Sequence, residues 1–226
     1  MTSDESPAPE AFRRLAVVLA RAAGEVAAEG RRAQGTGRVP HETKSTETDP
    51  VTEHDRAAER LLVERLAAER PDDAIVGEEG AARAGTSGLE WHLDPIDGTV
   101  NFLYGIGAWS TSVGVVDAHG GVAGAVFAPM LDEMYSAARG GGATLNDVPI
   151  HASTATELST SLVASGFSYD REVRRRQAER LITVVTATRD VRRGGSAALD
   201  LCAVAAARVD AYFEEQLNSW DVAAGM

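Results

Sequence analysis

A chain of 226 residues with 44% hydrophobic content can bury one large core or two small ones, and a formal net charge of −12 argues against non-specific binding to nucleic acid or an anionic membrane, since both need a positive field. A single cysteine, Cys202, excludes a disulfide framework and a cysteine-rich metal site and fits a reducing cytoplasm. An acidic protein that handles a phosphorylated anion must gather cations locally.

"MTSDESPAPE" is acidic and polar with no leader-like apolar region, so residues 1–9 are expected to be a disordered tail; no apolar run approaches the ~18 residues a membrane span needs. Phe12, Leu15, Ala16, Leu19, Ala23 and Val26 recur at helical spacing, which predicts an amphipathic helix over 10–33. "HETKSTETDP" (41–50) is charged, non-periodic and closed by Pro50, which predicts a mobile loop. Thr52 and Asp55 have capping-box spacing ahead of Ala58, Leu61, Leu62 and Leu66, so a second helix should run from about 52 until Pro71 stops it.

"AIVGEEG" reads as a short strand that delivers Glu78 and Glu79 to its end, with the two side chains on opposite faces. In "EWHLDPIDGTVNF", Trp91 and Leu93 alternate with Glu90 and His92 as in a half-buried strand, and Asp94 and Asp97 fall in the loop at its end. "TVNFLY" can then turn into a short helix. "WSTSVGVVDAHGGVAGAVFAPMLDEMYSAA" breaks into β-rich runs of an antiparallel meander, and "LNDVPI" adds a hairpin. From about 158, strand (162–165), helix (172–188), strand (189–193), helix (196–207) and strand (209–214) alternate as in an α/β unit. These elements predict an N-terminal α+β domain over 10–152, with an antiparallel sheet and helices, and a C-terminal α/β domain over 153–226.

Acidic residues mark the element ends: Asp55, Glu78 with Glu79, Asp94 with Asp97, and Glu214 with Asp221. Alone, Asp55 is a helix cap, Lys44 a solvated loop lysine, Trp220 core packing, and D-P-x-D-G a turn. If the strands bring the carboxylates together, their repulsion demands cations, and oxygen donors without His or Cys select Mg²⁺, Mn²⁺ or Ca²⁺ over Zn²⁺. A carboxylate such as Asp94 can bridge two metals that stabilise in-line displacement at phosphorus. The helix opened by Gly98 and Thr99 would seat a phosphate on its amides. Water is the expected nucleophile, because no Ser-His or Cys-His pairing is evident.

"DPVTEHD", "VGEEG", "DPIDGTVNF" and "WDVAAG", in this order, resemble the signatures of the inositol monophosphatase family of Mg²⁺-dependent, lithium-sensitive phosphatases, in its bacterial high-GC form; "VRRGGSAALDLCAVAAARVDAYFE" continues the likeness. The resemblance implies a layered αβαβα sugar-phosphatase fold and two or three Mg²⁺ ions. It implies that Glu78, Asp94 and the Ile96 carbonyl hold one ion, while Asp94, Asp97 and Asp221 hold a second. Thr99, hydrogen-bonded to Asp55, would orient the attacking water, with Glu78 assisting through a third ion. The Gly98 and Thr99 amides would take the phosphate, Lys44 would ride a loop that closes over the metals, and Glu214 and the backbone near Ala197 would meet substrate hydroxyls alongside Asp97. Phe167 stands where some animal members have a serine that contacts inositol.

The implied reaction is hydrolysis of myo-inositol monophosphate or a similar polyol phosphate in the cytoplasm by a homodimer. Histidinol phosphate, fructose 1,6-bisphosphate or a nucleotide 3′-phosphate are alternative substrates. A weakly catalytic protein that acts by association is the alternative of another class, since some bacterial relatives bind the transcription machinery. Family members continue well beyond the Trp-Asp motif, so the C-terminal domain is expected to be truncated.

Overall fold

The computed structural model describes residues 9–44, 47 and 49–226, and the expected tail therefore lies outside the described residues except for Pro9. Helix α1 (Pro9–Ala33) buries Phe12, Ala16, Leu19, Ala20, Ala23, Gly24, Ala27 and Ala28 along one stripe, as the helical spacing predicts. The small residues of this stripe let it lie close to the sheet, and a side chain at Gly24 would come within 2.7 Å of the Phe127 ring. The segment predicted as a loop over 41–50 contains two short paired strands, β1 (Glu42–Thr43) and β2 (Pro50–Val51).

Helix α2 (Glu53–Glu69) starts at a complete capping box: Thr52 accepts from the Asp55 amide and Asp55 accepts from the Thr52 amide. Its Ala58, Leu62 and Leu66 are fully buried. Each fully buried leucine adds roughly 1.5–3 kcal/mol of transfer free energy.

An eight-stranded sheet forms the frame, ordered β10-β9-β8-β7-β6-β5-β3-β4. Its strands are β3 (Ala74–Gly77), β4 (Ala82–Arg83), β5 (Glu90–Asp97), β6 (Ser110–Asp117), β7 (Gly120–Ala128), β8 (Glu133–Ala138), β9 (Gly142–Leu145) and β10 (Val148–Ile150), with helix α3 (Thr99–Tyr104) between β5 and β6. Only β3 and β5 pair in parallel; the rest is the expected antiparallel meander and hairpin. Trp91 on β5 is fully buried, meets Phe12 edge-on at 6.2 Å, and donates its indole N–H to Asp73 at 2.9 Å.

A second sheet, all parallel, is ordered β12-β11-β13 and alternates with helices: β11 (Leu162–Ser165), α4 (Arg171–Ala187), β12 (Asp190–Arg192), α5 (Ala197–Ala205) and β13 (Ala211–Phe213). Helix α5 joins the two sheets, because Ala198 and Cys202 pack with Val126 and Tyr135 of the large one. Helix α6 (Ser219–Val222) is held by a groove absent from the sequence reading. Gly114 and Gly124 stand opposite each other on β6 and β7, and the backbone of Ala223–Ala224 lies across them. A Cβ on either glycine would come within 2.7 Å of that backbone. Glycine inside a strand marks such close approach.

Gly114→Ala should therefore lift α6 off the sheet and cost about 1–3 kcal/mol, the usual scale of overpacking. Hydrogen exchange should find the amides of Ala223 and Gly225, which bond Ser219 and Val222, deprotected while β6 and β7 keep their protection. Uniform loss across the sheet would contradict this docking.

Candidate active site

β5 pairs regularly with β6 as far as Asp94, opposite Ser112, then slips so that Asp97 stands opposite Ser110. The extra residue is a bulge within the strand, where the sequence reading puts both aspartates in a following loop. It has a geometric consequence. Residues three apart on a flat strand face opposite sides, whereas the bulge turns Asp94 and Asp97 into one cavity. The Pro95 carbonyl in the bulge is held by the Thr111 hydroxyl at 2.8 Å. Gly98 follows with φ 92° and opens α3. A Cβ there would lie 2.9 Å from the Gly195 carbonyl, so glycine serves both the backbone angle and the close approach.

The cavity, about 540 Å³, is lined by Glu78, Asp94, Ile96, Asp97, Gly98, Thr99, Ala197, Glu214 and Asp221 together with Lys44, all of them sites named from the sequence. Asp55 is fully buried in α2 and does not line it. Trp220, expected as core packing, is half-buried and forms part of the wall. Phe167 lines the same cavity.

Asp94, Asp97, Asp221 and the nearby Asp55 are raised above the ordinary carboxylate range, with burial the largest cause in each. Burial, with Glu78, Asp97 and Asp221 close by, pushes Asp94 well up. Burial raises Asp97 to about 7 against bonds from Ser196 and the Ala197 and Ala198 amides, and raises Asp221 to about 7 with Asp97 as its next cause. Burial likewise brings Asp55 to about 6.

The side chains meet this repulsion with local donors. Lys44 Nζ bonds Glu78 at 2.9 Å and Glu79 at 2.6 Å. Lys44 is exposed, as the solvated-lysine reading has it, but is also paired to both glutamates; the opposite-face reading of Glu78 and Glu79 is corrected, since β3 ends at Gly77 and strand alternation no longer governs the pair. Asp97 accepts from Ser196 Oγ at 2.5 Å and from the Ala198 and Ala197 amides at 2.7 and 3.2 Å, at the positive end of α5. The Ala197 amide, expected to meet substrate, is thereby engaged. Asp221 accepts from the Asn218 amide at 2.6 Å. Thr99 Oγ1 donates to the Ile96 carbonyl at 3.1 Å and not to Asp55, which accepts from the amide and hydroxyl of Thr52.

Among the described residues no three acidic, imidazole or thiol side chains stand close enough to form a ready metal-binding group. The donor chemistry nonetheless fits a hard cation. Asp94 Oδ1 is buried with no hydrogen-bond partner among the described residues, and the carboxylates of Glu78, Asp97 and Asp221 lie near it.

The profile of the inositol monophosphatase family matches residues 8–226. The chain belongs to the inositol monophosphatase family. Members are generally metal-dependent phosphatases. "Inositol-1-monophosphatase SuhB" of Mycobacterium tuberculosis is 47% identical over 230 residues, covering 94% of this chain and 79% of that protein. "Nus factor SuhB" of Pasteurella multocida is 36% identical, covering 93% of this chain and 79% of that one. The solved structure of Mycobacterium tuberculosis SuhB superposes with a TM-score of 0.84 at 44% identity, covering 97% of this chain and 83% of that one. The layered α+β architecture of this family is the fold expected from the sequence.

Asp200, Arg193 and Tyr169 also line the cavity and were not singled out from the sequence. Burial, then Glu214, raises Asp200 to about 7. An acid that interrupts the apolar run "AALDLCAVA" is the signal that marks it. Glu214 itself is raised by burial and accepts from Tyr212 at 2.6 Å.

These shifts set a pH dependence for the cation-free protein. Asp97 and Asp221 titrate near 7 when folded and near 3.8 otherwise. Below about pH 4 both states are protonated and nothing is lost; as pH rises through 7 the fold must carry charges that it disfavours. In EDTA, the melting temperature should fall by about 5 °C or more between about pH 5 and pH 8, and a divalent cation should close the gap. An equal or higher melting temperature at pH 8 in EDTA would contradict the assignment.

Proposed function

We propose that this protein is a Mg²⁺-dependent phosphomonoesterase that hydrolyses myo-inositol monophosphate or a similar polyol phosphate to the alcohol and phosphate. The observation that carries this reading is the bulge at Pro95–Ile96, which aims two aspartates into a cavity that already holds Glu78 and Asp221. Glu78, Asp94, the Ile96 carbonyl, Asp97 and Asp221 would hold two or three Mg²⁺ ions. When bound, the ions supply Lewis-acid charge for in-line attack of water at phosphorus.

The remaining work falls to the chain. Gly98 and Thr99 hold the phosphate through their amides at the opening of α3. Thr99 orients the attacking water, exchanging its bond to Ile96 for Asp55, whose Oδ1 has no hydrogen-bond partner among the described residues. Lys44, paired to Glu78 and Glu79, holds positive charge beside the residues that would hold the ions. Glu214, which reaches the cavity from the end of β13, accepts a hydroxyl of the polyol.

A second reading rests on the relative named Nus factor SuhB: association with a partner of that kind, with or without catalysis. The protein is expected to work as a homodimer in the cytoplasm. No described helix is long and apolar enough to cross a membrane.

Phosphate release from inositol monophosphate should require Mg²⁺, stop in EDTA and fall in Li⁺. Asp94→Asn should lower it by roughly a hundredfold or more with the fold retained. Near-normal turnover of Asp94→Asn in Mg²⁺ would sink the reading, whereas no Mg²⁺-dependent release by the unmodified protein would favour association.

Glu214→Gln should lower kcat/KM for a ring polyol phosphate by about tenfold to a hundredfold, the scale of a hydrogen bond to a charged group. p-Nitrophenyl phosphate offers no matching hydroxyl and should be nearly unaffected. Equal losses on both would assign Glu214 to structural support.

A further inference from the structure

Glu59 stands one helical turn after Asp55 on α2 and is 6% exposed. Its carboxylate accepts from the Glu79 amide at 2.8 Å and from the Ala81 amide at 3.0 Å. Those two amides belong to the turn after β3, which is closed by the Gly77 amide on the Ala81 carbonyl at 2.7 Å. The Glu78 amide bonds the Leu93 carbonyl of β5 at 3.1 Å, so the turn is tied to the strand that carries Asp94. A Cβ on Gly77 would come within 2.3 Å of the Glu59 carboxylate, so this glycine makes room for it. A buried carboxylate thus accepts from two amides of the turn that carries Glu78 and Glu79.

We propose that Glu59 is a positioning residue: through the Glu79 and Ala81 amides it fixes the turn that presents Glu78 to the cation site. The proposal rests on the reading that Glu78 is a cation ligand. Neither Glu59 nor Gly77 lines the cavity, so their effect on binding passes through the backbone they hold. Bonds from amides to a carboxylate are charge-assisted and among the stronger hydrogen bonds, and these two are partly buried.

The test is calorimetric titration of Mg²⁺ into substrate-free protein for four forms: unmodified, Glu59→Gln, Gly77→Ala, and Glu64→Gln as an exposed control on the same helix. Glu59→Gln replaces one acceptor by a donor. Gly77→Ala keeps every charge and pushes the carboxylate off its amides. Both should weaken Mg²⁺ binding by about tenfold to a hundredfold, as loss of a ligand's supporting hydrogen bonds does. Both should also speed exchange of the Glu79 and Ala81 amides in EDTA, and Glu64→Gln should do neither.

Weaker binding in Glu59→Gln alone would mean that its charge acts through space, and would overturn the positioning role. Unchanged binding in both, with intact binding by the unmodified protein, would overturn it while leaving the proposed function standing. No Mg²⁺ binding by the unmodified protein would overturn both. Should Glu59→Gln fail to fold, Gly77→Ala and its amide exchange decide.

Discussion

Mutual repulsion of Glu78, Asp94, Asp97 and Asp221 governs the arrangement around the cavity. The ordinary fate of Asp94, Asp97 and Asp221 in water is full ionisation, and burial in one cavity opposes it. The fold holds them there because the elements that carry them are fixed by other contacts. β5 is anchored by the buried Trp91, the turn after β3 by Glu59, and α6 by the glycine groove of β6 and β7. Stability is thus spent at the cavity and gained in the core beneath it.

Three local sets of donors meet these carboxylates. The Lys44 ammonium serves Glu78 and Glu79, the amide end of α5 serves Asp97, and a single backbone amide serves Asp221. Asp94, the most deeply enclosed of them, has only its neighbours, and one of its oxygens has no hydrogen-bond partner among the described residues. That orphaned oxygen suits a group that would hold a cation. Beyond it the wall changes character: Glu214, Asp200, Arg193, Tyr169 and Phe167 offer hydrogen bonds and an aromatic face where the alcohol portion of a substrate would lie.

Much of this was legible in the sequence. The helical stripe of α1, the Thr52–Asp55 capping box, the meander and the α/β alternation are written in local periodicity and turn chemistry, and local rules sufficed. The ordered motifs around Glu78, Asp94 and Asp221 pointed to the family. What escaped were features set by tertiary contact. The bulge between Asp94 and Asp97 depends on pairing with β6, so the sequence shows only a strand ending in D-P-x-D-G. Which side Glu79 faces depends on where β3 stops and on Lys44. Asp97 could not be matched to the start of α5 from a separation of a hundred residues, and the Gly114–Gly124 groove becomes visible only when the strands are in register.

Burial raises Asp94, Asp97 and Asp221, so these aspartates should hold protons near neutral pH that a bound cation would replace. Proton release on Mg²⁺ binding tests it most directly, by calorimetry near pH 7 in two buffers of different ionisation enthalpy. The account predicts a binding heat that depends on the buffer, corresponding to release of about one proton or more per chain. Binding with no proton release would mean that the carboxylates are already ionised, and the claim would fail.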